Sequence, residues 1–443
     1  MSLLRSPLDR DIRRLAVPAL GALVAEPIFL LTDTALVGHL GSAQLGGLSV
    51  ASAVLQTAVG LLIFLAYSTT PAVARWLGVG NRARAVAAGV DGVWLAVVLG
   101  VILVAVGIPA APWLISLFNP DPSIVGFATE YLTISILGLP AMLITFAASG
   151  LLRGLQDTRT PLIVAVAGFI SNALLNTLFI YGFGWGVAGS AIGTVVASWG
   201  MAAAYLVMLV TLARREGARV RPHGRGMLLA GHAGAWLLLR TASLRAAMLA
   251  TIAVATSIGV PELATVQITL TIFATLAFVL DALAIAGQAM IGKELGASDL
   301  VKARAITRRL VELGIGSGVV LGLVMLVVSP WAGFAFSSDP VVRSGLAALL
   351  PVLALGIPIA GFVFVLDGVL IGAGDARYLA LTGLVNLAVY VPLLWWVYSS
   401  NLTGTAAVVA LWFAFGLGYI GARAVTLGIR ARGDQWLVPG ATR

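Results

Sequence analysis

The sequence predicts an all-α polytopic membrane protein of twelve transmembrane helices, arranged as two six-helix bundles. Three observations carry that prediction. Of the 443 residues 60% are hydrophobic and 10% charged, with a mean hydropathy of +1.03, whereas about a quarter of the residues of a soluble domain are charged. Polar, Gly- and Pro-rich breaks divide the chain into twelve apolar stretches of the length a spanning helix needs, about 20 residues. The chain also matches itself at an offset of 218 residues. Such a composition excludes a soluble enzyme, a disordered chain and a disulfide scaffold.

The stretches run over 15–38, 45–74, 83–108, 123–152, 160–182, 187–213, 227–258, 262–292, 301–328, 340–371, 377–398 and 403–430. The first is too long for the apolar part of a secretion signal and no small-residue cleavage site follows it, so it is expected to be retained. The connecting segments alternate in charge. An N-terminal segment, 1–14, holds Arg5, Arg10, Arg13 and Arg14. Every second loop then carries Arg75, Arg82 and Arg84; Arg153 and Arg159; Arg214, Arg215, Arg219, Arg221 and Arg225 within a basic linker, 214–226; Lys293, Lys302, Arg304, Arg308 and Arg309; and Arg377. The intervening loops, around Gly41, Pro120, Gly184, Pro261, Asp339 and Asn401, hold one basic residue, Arg343. Basic loops stay cytoplasmic, so both termini, including a tail over 431–443, are expected inside a multi-pass cell-membrane protein. The net charge of +9 is then a topological signal. A basic nucleic-acid surface needs a soluble fold to carry it, and no nucleic acid is expected as a partner.

The self-match sets out the domain organisation. Gly41, Leu77, Gly78, Pro112, Trp113, Asp121, Pro122, Gly138, Pro140, Gly150, Gly154, Asp157 and Arg159 recur 218 residues on as Gly259, Leu295, Gly296, Pro330, Trp331, Asp339, Pro340, Gly356, Pro358, Gly368, Gly372, Asp375 and Arg377. Chance likeness between apolar helices would match Leu, Val and Ala, not loop residues and Trp. Six spans per repeat make the repeat parallel, giving one bundle over 15–213 and a second over 227–430, related by an axis along the membrane normal. Two such bundles leave a cleft whose rocking would give alternating access. No G-x-x-x-x-G-K-[ST] motif is present, which makes a secondary transporter the default reading.

Polar residues inside the spans are the site candidates, since each charge there costs about 2.5–3.5 kcal/mol on insertion scales. Asp33 stands near the outer end of the first span, in EPIFLLTDTALVGHLG, with Glu26 one heptad earlier on nearly the same face. A helix cap near water is its ordinary alternative use. Pro18 and Pro27 interrupt that helix's hydrogen-bond ladder and give it places to bend. The fifth span runs outward and brings Asn172 and, one turn further, Asn176 to the depth of Asp33; the sixth runs inward and brings Thr194. One carboxylate among amides and a hydroxyl resembles a protonation site more than a metal cage, which wants several carboxylates. With zero Cys, and three His at His39, His223 and His232, no metal site is expected.

In the second half Asp281 and Asp367 have Ile63 and Ser149 as repeat mates, so neither belongs to the shared scaffold. Asp281 reads equally as a second coupling or substrate site and as an ion-pair partner, and Asp367 as a cytoplasmic-end ion-pair or hydrogen-bonding group, with Arg240 and Arg245 as candidate partners. Asp91 and Glu312 read as interfacial. Asp157 with Arg159, and their mates Asp375 with Arg377, suit structural cytoplasmic turns. Trp185, Trp395, Trp396 and Trp412 fall where an aromatic belt would anchor the protein.

The segments TDTALVGHLG, GLLRGLQDTRTPL, LDALAIAGQAMIGKELG and DGVLIGAGDAR, together with the doubled six-span plan, resemble the multidrug and toxic compound extrusion (MATE) family, specifically its DinF-like subgroup, from about Leu15 to Arg430. The resemblance implies export of organic, cationic amphipathic compounds in exchange for protons or sodium, with Asp33 as the coupling acid and Asn172 and Thr194 beside it. The family often has an acid where Asn176 stands, and its sodium-type subgroup an acid in the seventh span, where residues 227–261 have none. Both departures favour protons.

The expectation is therefore a secondary active multidrug antiporter, not an enzyme. It would need no cofactor beyond the proton gradient, with sodium the less favoured ion. Its partners would be small amphipathic substrates and the lipid bilayer, and it would act as a monomer. Sodium coupling, a lipid-linked precursor flippase and, more weakly, a channel are the alternatives.

Overall fold

The structure, a computed structural model, describes residues 7–441. In chain order the helices are α1 (Pro7–Gly38), α2 (Ser42–Leu62), α3 (Phe64–Gly78), α4 (Arg82–Ser116), α5 (Pro122–Ile136), α6 (Leu139–Gly154), α7 (Arg159–Thr177), α8 (Gly186–Arg215), α9 (Gly224–Ile258), α10 (Val260–Gly296), α11 (Leu300–Phe336), α12 (Pro340–Gly372), α13 (Ala376–Ser399), α14 (Gly404–Phe413) and α15 (Ile420–Arg432). Wide π-helical turns follow α7, at Leu178–Gly182, and join α14 to α15, at Ala414–Tyr419. Among the described residues eleven helical stretches are long and apolar enough to cross a bilayer, and the pair α5 and α6, bent by 45°, makes a twelfth if counted as one span. In hydrocarbon every backbone N–H and C=O must be satisfied within the element, which selects helices. The lipid-facing character is visible on mates: Val101 and Val106 of α4 are 61% and 63% exposed, and Val319 and Val324 of α11 are 43% and 53%.

The chain forms two compact units, one over Val17–Gly234 and one combining residues 7–16 with Ala235–Ala441. The repeat reaches down to individual hydrogen bonds. Asn81 caps α4 by accepting from Arg84 N, and its mate Asp299 caps α11 by accepting from Lys302 N. Asp121 caps α5 through Ser123 N, as Asp339 caps α12 through Val341 N. Helix approaches repeat as well. A methyl on Gly100 would stand 2.7 Å from Pro140 Cα, and one on its mate Gly318 2.7 Å from Pro358 Cα.

The halves also differ. The stretch 45–74 is broken at Ile63, between α2 and α3, whereas its mate α10 runs unbroken. The bend between α5 and α6 leaves the Leu137 carbonyl to accept from Trp199 Nε1 at 3.0 Å; in the second half Leu417 stands in place of Trp199, and α12 passes through Pro358 without a break.

Charged groups fix the ends. In the first unit the linker after α8 is tied to α4: Arg219 pairs with Asp91 at 2.6 Å, His223 N donates to the same carboxylate, and Trp94 Nε1 donates to Val220 O. Asp157 caps the start of α7, accepting from Arg159 N and Thr160. In the second unit Asp9 takes two hydrogen bonds from Arg309, at 2.6 and 3.0 Å, and Arg309 also pairs with Glu312. Asp375 pairs with Arg430, and Trp436 in the segment after α15 is buried. Trp185, Trp395 and Trp396 are exposed, as belt residues should be, but Trp412 is not. It is 2% exposed and packs against Phe273 and Phe415 in an aromatic core. The face of a helix, not the depth of the residue, decides whether an indole meets lipid.

Candidate functional site

Two acids of the first unit are buried among the described side chains, Asp91, which pairs with Arg219, and Asp33. Asp33 lies a little over one turn before the end of α1 and is 6% exposed. Its Oδ1 accepts from Asn176 Nδ2 and from Ser190 Oγ, each at 2.7 Å, and its Oδ2 accepts from the Tyr131 hydroxyl at 3.3 Å. All three donors are uncharged. Behind them Asn176 Nδ2 also donates to Asn172 Oδ1 at 3.1 Å, and Asn172 Nδ2 donates to Thr194 Oγ1 at 2.9 Å. Hydrogen bonds thus connect α8 through α7 to the carboxylate of α1, with Asn176 donating both to Asp33 and, by way of Asn172, toward Thr194.

Local sequence explains this convergence. Asn172 and Asn176 are one turn apart on α7, so both face α8, and the π-helical turn begins directly after Thr177; such wide turns concentrate at functional positions. On α8 Gly189 and Gly193 form a small-residue row that lets the helices close in. A methyl on Gly189 would meet the backbone of Phe179 at 2.8 Å, and one on Gly193 would overlap Asn176 Oδ1. That Oδ1 is buried without a hydrogen-bond partner. Tyr131, Val37, Leu132, Ile180 and Ala191 belong to one buried apolar cluster.

The structure brings together Asp33, Asn172, Asn176 and Thr194. Thr194 reaches Asp33 only through the two amides. Ser190 and Tyr131 were not anticipated. Ser190 precedes Thr194 by one helical turn on the same face and carried a usable signal; Tyr131, set among Thr129, Glu130, Thr133 and Ser135, carried none that singled it out. The backbone of Glu26 belongs to α1, but its side chain lies outside the described residues. Pro18 and Pro27 lie inside α1, which is helical throughout.

The second unit places its charges elsewhere. Arg240 Nε donates to Asp367 Oδ1 at 3.0 Å, and its Nη2 pairs with Oδ2. Arg423 Nη2 approaches the same Oδ1 at 3.3 Å, and Asp281 acts electrostatically on Arg423. Arg423 is the member that sequence reasoning missed. Among the described residues no three His, Asp or Glu side chains cluster as metal ligands do.

A duplicated helical membrane protein with polar side chains buried among its spans has the architecture of a membrane transporter. The MatE family model matches residues 18–178 and again 239–396, once on each repeat. The chain therefore belongs to the MatE family of transporters. Protein DETOXIFICATION 43 of Arabidopsis thaliana is 29% identical to it, over 95% of this chain and 90% of its own length. DNA damage-inducible protein F of Escherichia coli is 28% identical, over 83% of this chain and 81% of its own. A crystal structure of the Vibrio cholerae MATE transporter VcmN in the bent form shares the fold, with a TM-score of 0.87 at 18% identity, covering 97% of this chain and 98% of that one.

Proposed function

We propose that this protein is a secondary active antiporter that exports organic, cationic amphipathic compounds across the cell membrane in exchange for protons. It works by alternating access, as a monomer with both termini in the cytoplasm. The observation that carries the reading is Asp33, a buried carboxylate held by three uncharged donors. Those donors suit a charged carboxylate, and a proton on it removes the charge they serve. The change is felt by α1 directly and by α7 and α8 through Asn176 and Ser190. Because α1 carries Pro18 and Pro27, its ladder already lacks donors at two places, so its shape can follow the proton.

The donor set argues for protons over sodium, since one carboxylate accompanied by two amides and hydroxyls supplies little of the negative charge that a cation cage wants. A flippase for anionic lipid-linked precursors would want unneutralised basic groups at mid-membrane, and Arg240 and Arg423 instead share Asp367. An exchange of one proton for one monovalent cation moves no net charge. The pH gradient alone then drives it, at about 1.36 kcal/mol, or tenfold accumulation, per pH unit. The test is dye extrusion from proteoliposomes under an imposed pH gradient. Asp33→Asn is expected to reduce extrusion to the protein-free leak while reconstituting normally; undiminished extrusion by that variant overturns the reading.

A further inference from the structure

The cluster in the second unit takes no part in the exchange proposed above, and nothing in the scaffold requires it. The 218-residue mates of Arg240, Asp281, Asp367 and Arg423 are Ala22, Ile63, Ser149 and Tyr205. The first half builds the same fold with none of these four charges. Charged side chains inside spans are costly to insert, and a buried ion pair returns little beyond its own desolvation, so a quartet that only one repeat carries calls for a use. Its position is interior: the side chains of Arg240, Asp367 and Arg423 are 12%, 9% and 9% exposed. The three line a small cavity together with Asn386 and Tyr419 and the apolar side chains Leu244, Leu379 and Leu427.

We propose that Arg240 and Arg423 form a binding site for the carboxylate of a small amphipathic anion, and that Asp367 is the internal carboxylate that occupies this site between ligands. The shape of the contact carries the assignment. Arg240 addresses Asp367 with two prongs, Nε to Oδ1 and Nη2 to Oδ2, and Arg423 adds a third contact to Oδ1. A planar guanidinium fork is matched to a carboxylate in this way, and the Asp367 carboxylate shows that the pair of arginines accepts one. While Asp367 fills the site the cavity has room for little more than a water, so the apolar remainder of a ligand enters beside Leu244, Leu379 and Leu427 only as Asp367 and those side chains draw back.

Charge balance then sets the stoichiometry. The groups that face Asp367 are Arg240 from α9 and Arg423 from α15, with Tyr419 in the turn before α15 and Asp281 of α10 acting through Arg423. Two arginines and two aspartates sum to zero. An added carboxylate would leave one uncompensated negative charge in a low-dielectric interior. Uptake of one proton by Asp367 restores neutrality and releases the fork to the ligand, so one anion binds with one proton. The site is independent of Asp33, and binding without a gradient reads it apart from any export activity.

The experiment is equilibrium binding of radiolabelled benzoate to the full-length protein in detergent at pH 6, 7 and 8, with inorganic phosphate as competitor. The expected result is saturable binding that weakens about tenfold for each pH unit, the signature of one coupled proton. Asp367→Asn, which is neutral at every pH, should bind at pH 8 at least as tightly as wild type does at pH 6 and lose the pH dependence. Arg423→Lys, which keeps the charge and removes the fork, should weaken binding at least tenfold at pH 6, with thermal melting confirming that each variant is folded. Absence of saturable benzoate binding by the wild-type protein at pH 6 overturns the proposal without recourse to any variant. So does binding that both variants leave unchanged. Displacement by equimolar phosphate would overturn the assignment to a carboxylate.

Discussion

Replacing Gly193 by alanine asks whether Asn176 is the link between α7 and the Asp33 carboxylate. The new methyl would overlap Asn176 Oδ1 and stand 3.0 Å from the Asn176 backbone nitrogen; the backbone is held by its helix, so the amide must withdraw. Asn176 Nδ2 makes two bonds, 2.7 Å to Asp33 and 3.1 Å to Asn172. A bond to a charged acceptor is worth about 1.5–3 kcal/mol and a neutral one about 0.5–1.5 kcal/mol, so losing both costs roughly 2–4 kcal/mol. Where that loss falls on the ionised form of the site, which those donors serve, it slows exchange by about one to three powers of ten. The assay is pH-driven dye extrusion by proteoliposomes holding equal amounts of Gly193→Ala, Asn176→Ala and the double variant. Each single change is expected to slow extrusion strongly. The double variant should be no slower than Asn176→Ala, because the methyl then enters space the amide has left and the two changes act on one contact. Extrusion at the wild-type rate by Gly193→Ala, or deficits that multiply in the double variant, would refute the reasoning.

Three further outcomes follow from the same geometry. Ser190 holds Asp33 at 2.7 Å and Tyr131 at 3.3 Å, so Ser190→Ala should slow extrusion about tenfold and Tyr131→Phe no more than about threefold, compared in the same vesicles. Hydrogen bonds from the Ser123 hydroxyl and N–H hold the Asp121 carboxyl below its ordinary value. Its cap on α5 is therefore complete above the ordinary carboxylate range and is lost as pH falls through the lowered value, and thermal melting of Asp121→Asn should lack that acid-side decline. Trp436 is 1% exposed and donates to Ala431 O at 3.3 Å. Trp436→Ala should cost about 3–5 kcal/mol, seen as a lower melting temperature and faster tryptic cleavage at Arg430 and Arg432.

The legible part of this protein was whatever repeats or costs most. The mates Asp121 and Asp339, or Pro140 and Pro358, announce a duplication because loop and imino residues do not recur by chance, and the structure gives each pair the same cap or the same close approach. Asp33 was legible because a carboxylate in a span is expensive, and Asn172, Asn176 and Thr194 because helix rise converts residue number into depth. Rotation about the helix axis is what residue number does not give across different spans. Tyr131 reaches Asp33 only through the packing of α5, which no spacing along α5 reveals. Arg423 was hidden for another reason: so close to Arg430 and Arg432, it resembles one more basic residue at a cytoplasmic helix end, and only its partner Asp367 marks it as interior.

The two repeats have divided the chemistry between them at positions that do not correspond. The mates of Asp33 and Asn172 are Thr251 and Tyr390, which touch each other directly, hydroxyl to hydroxyl, at 2.7 Å. The rest of the site has been filled in: Tyr131, Asn176, Ser190 and Thr194 correspond to Leu349, Leu394, Val408 and Trp412, all buried. This is the reason Trp412 lies in a core and not in the interfacial belt, for it occupies the volume that holds polar groups in the first half. An acid placed at Thr251 would face a phenol and a wall of apolar side chains, without the amides that Asp33 uses, so the second half lacks the donor set on which the proposed proton site rests. Its charges sit instead at Arg240, Asp367 and Arg423, where the first half has Ala22, Ser149 and Tyr205. With each half uncharged where the other is charged, the packing at the Asp33 level gives the second half no counterpart of the proposed proton site, and a second ion-linked event would fall to the arginine cluster.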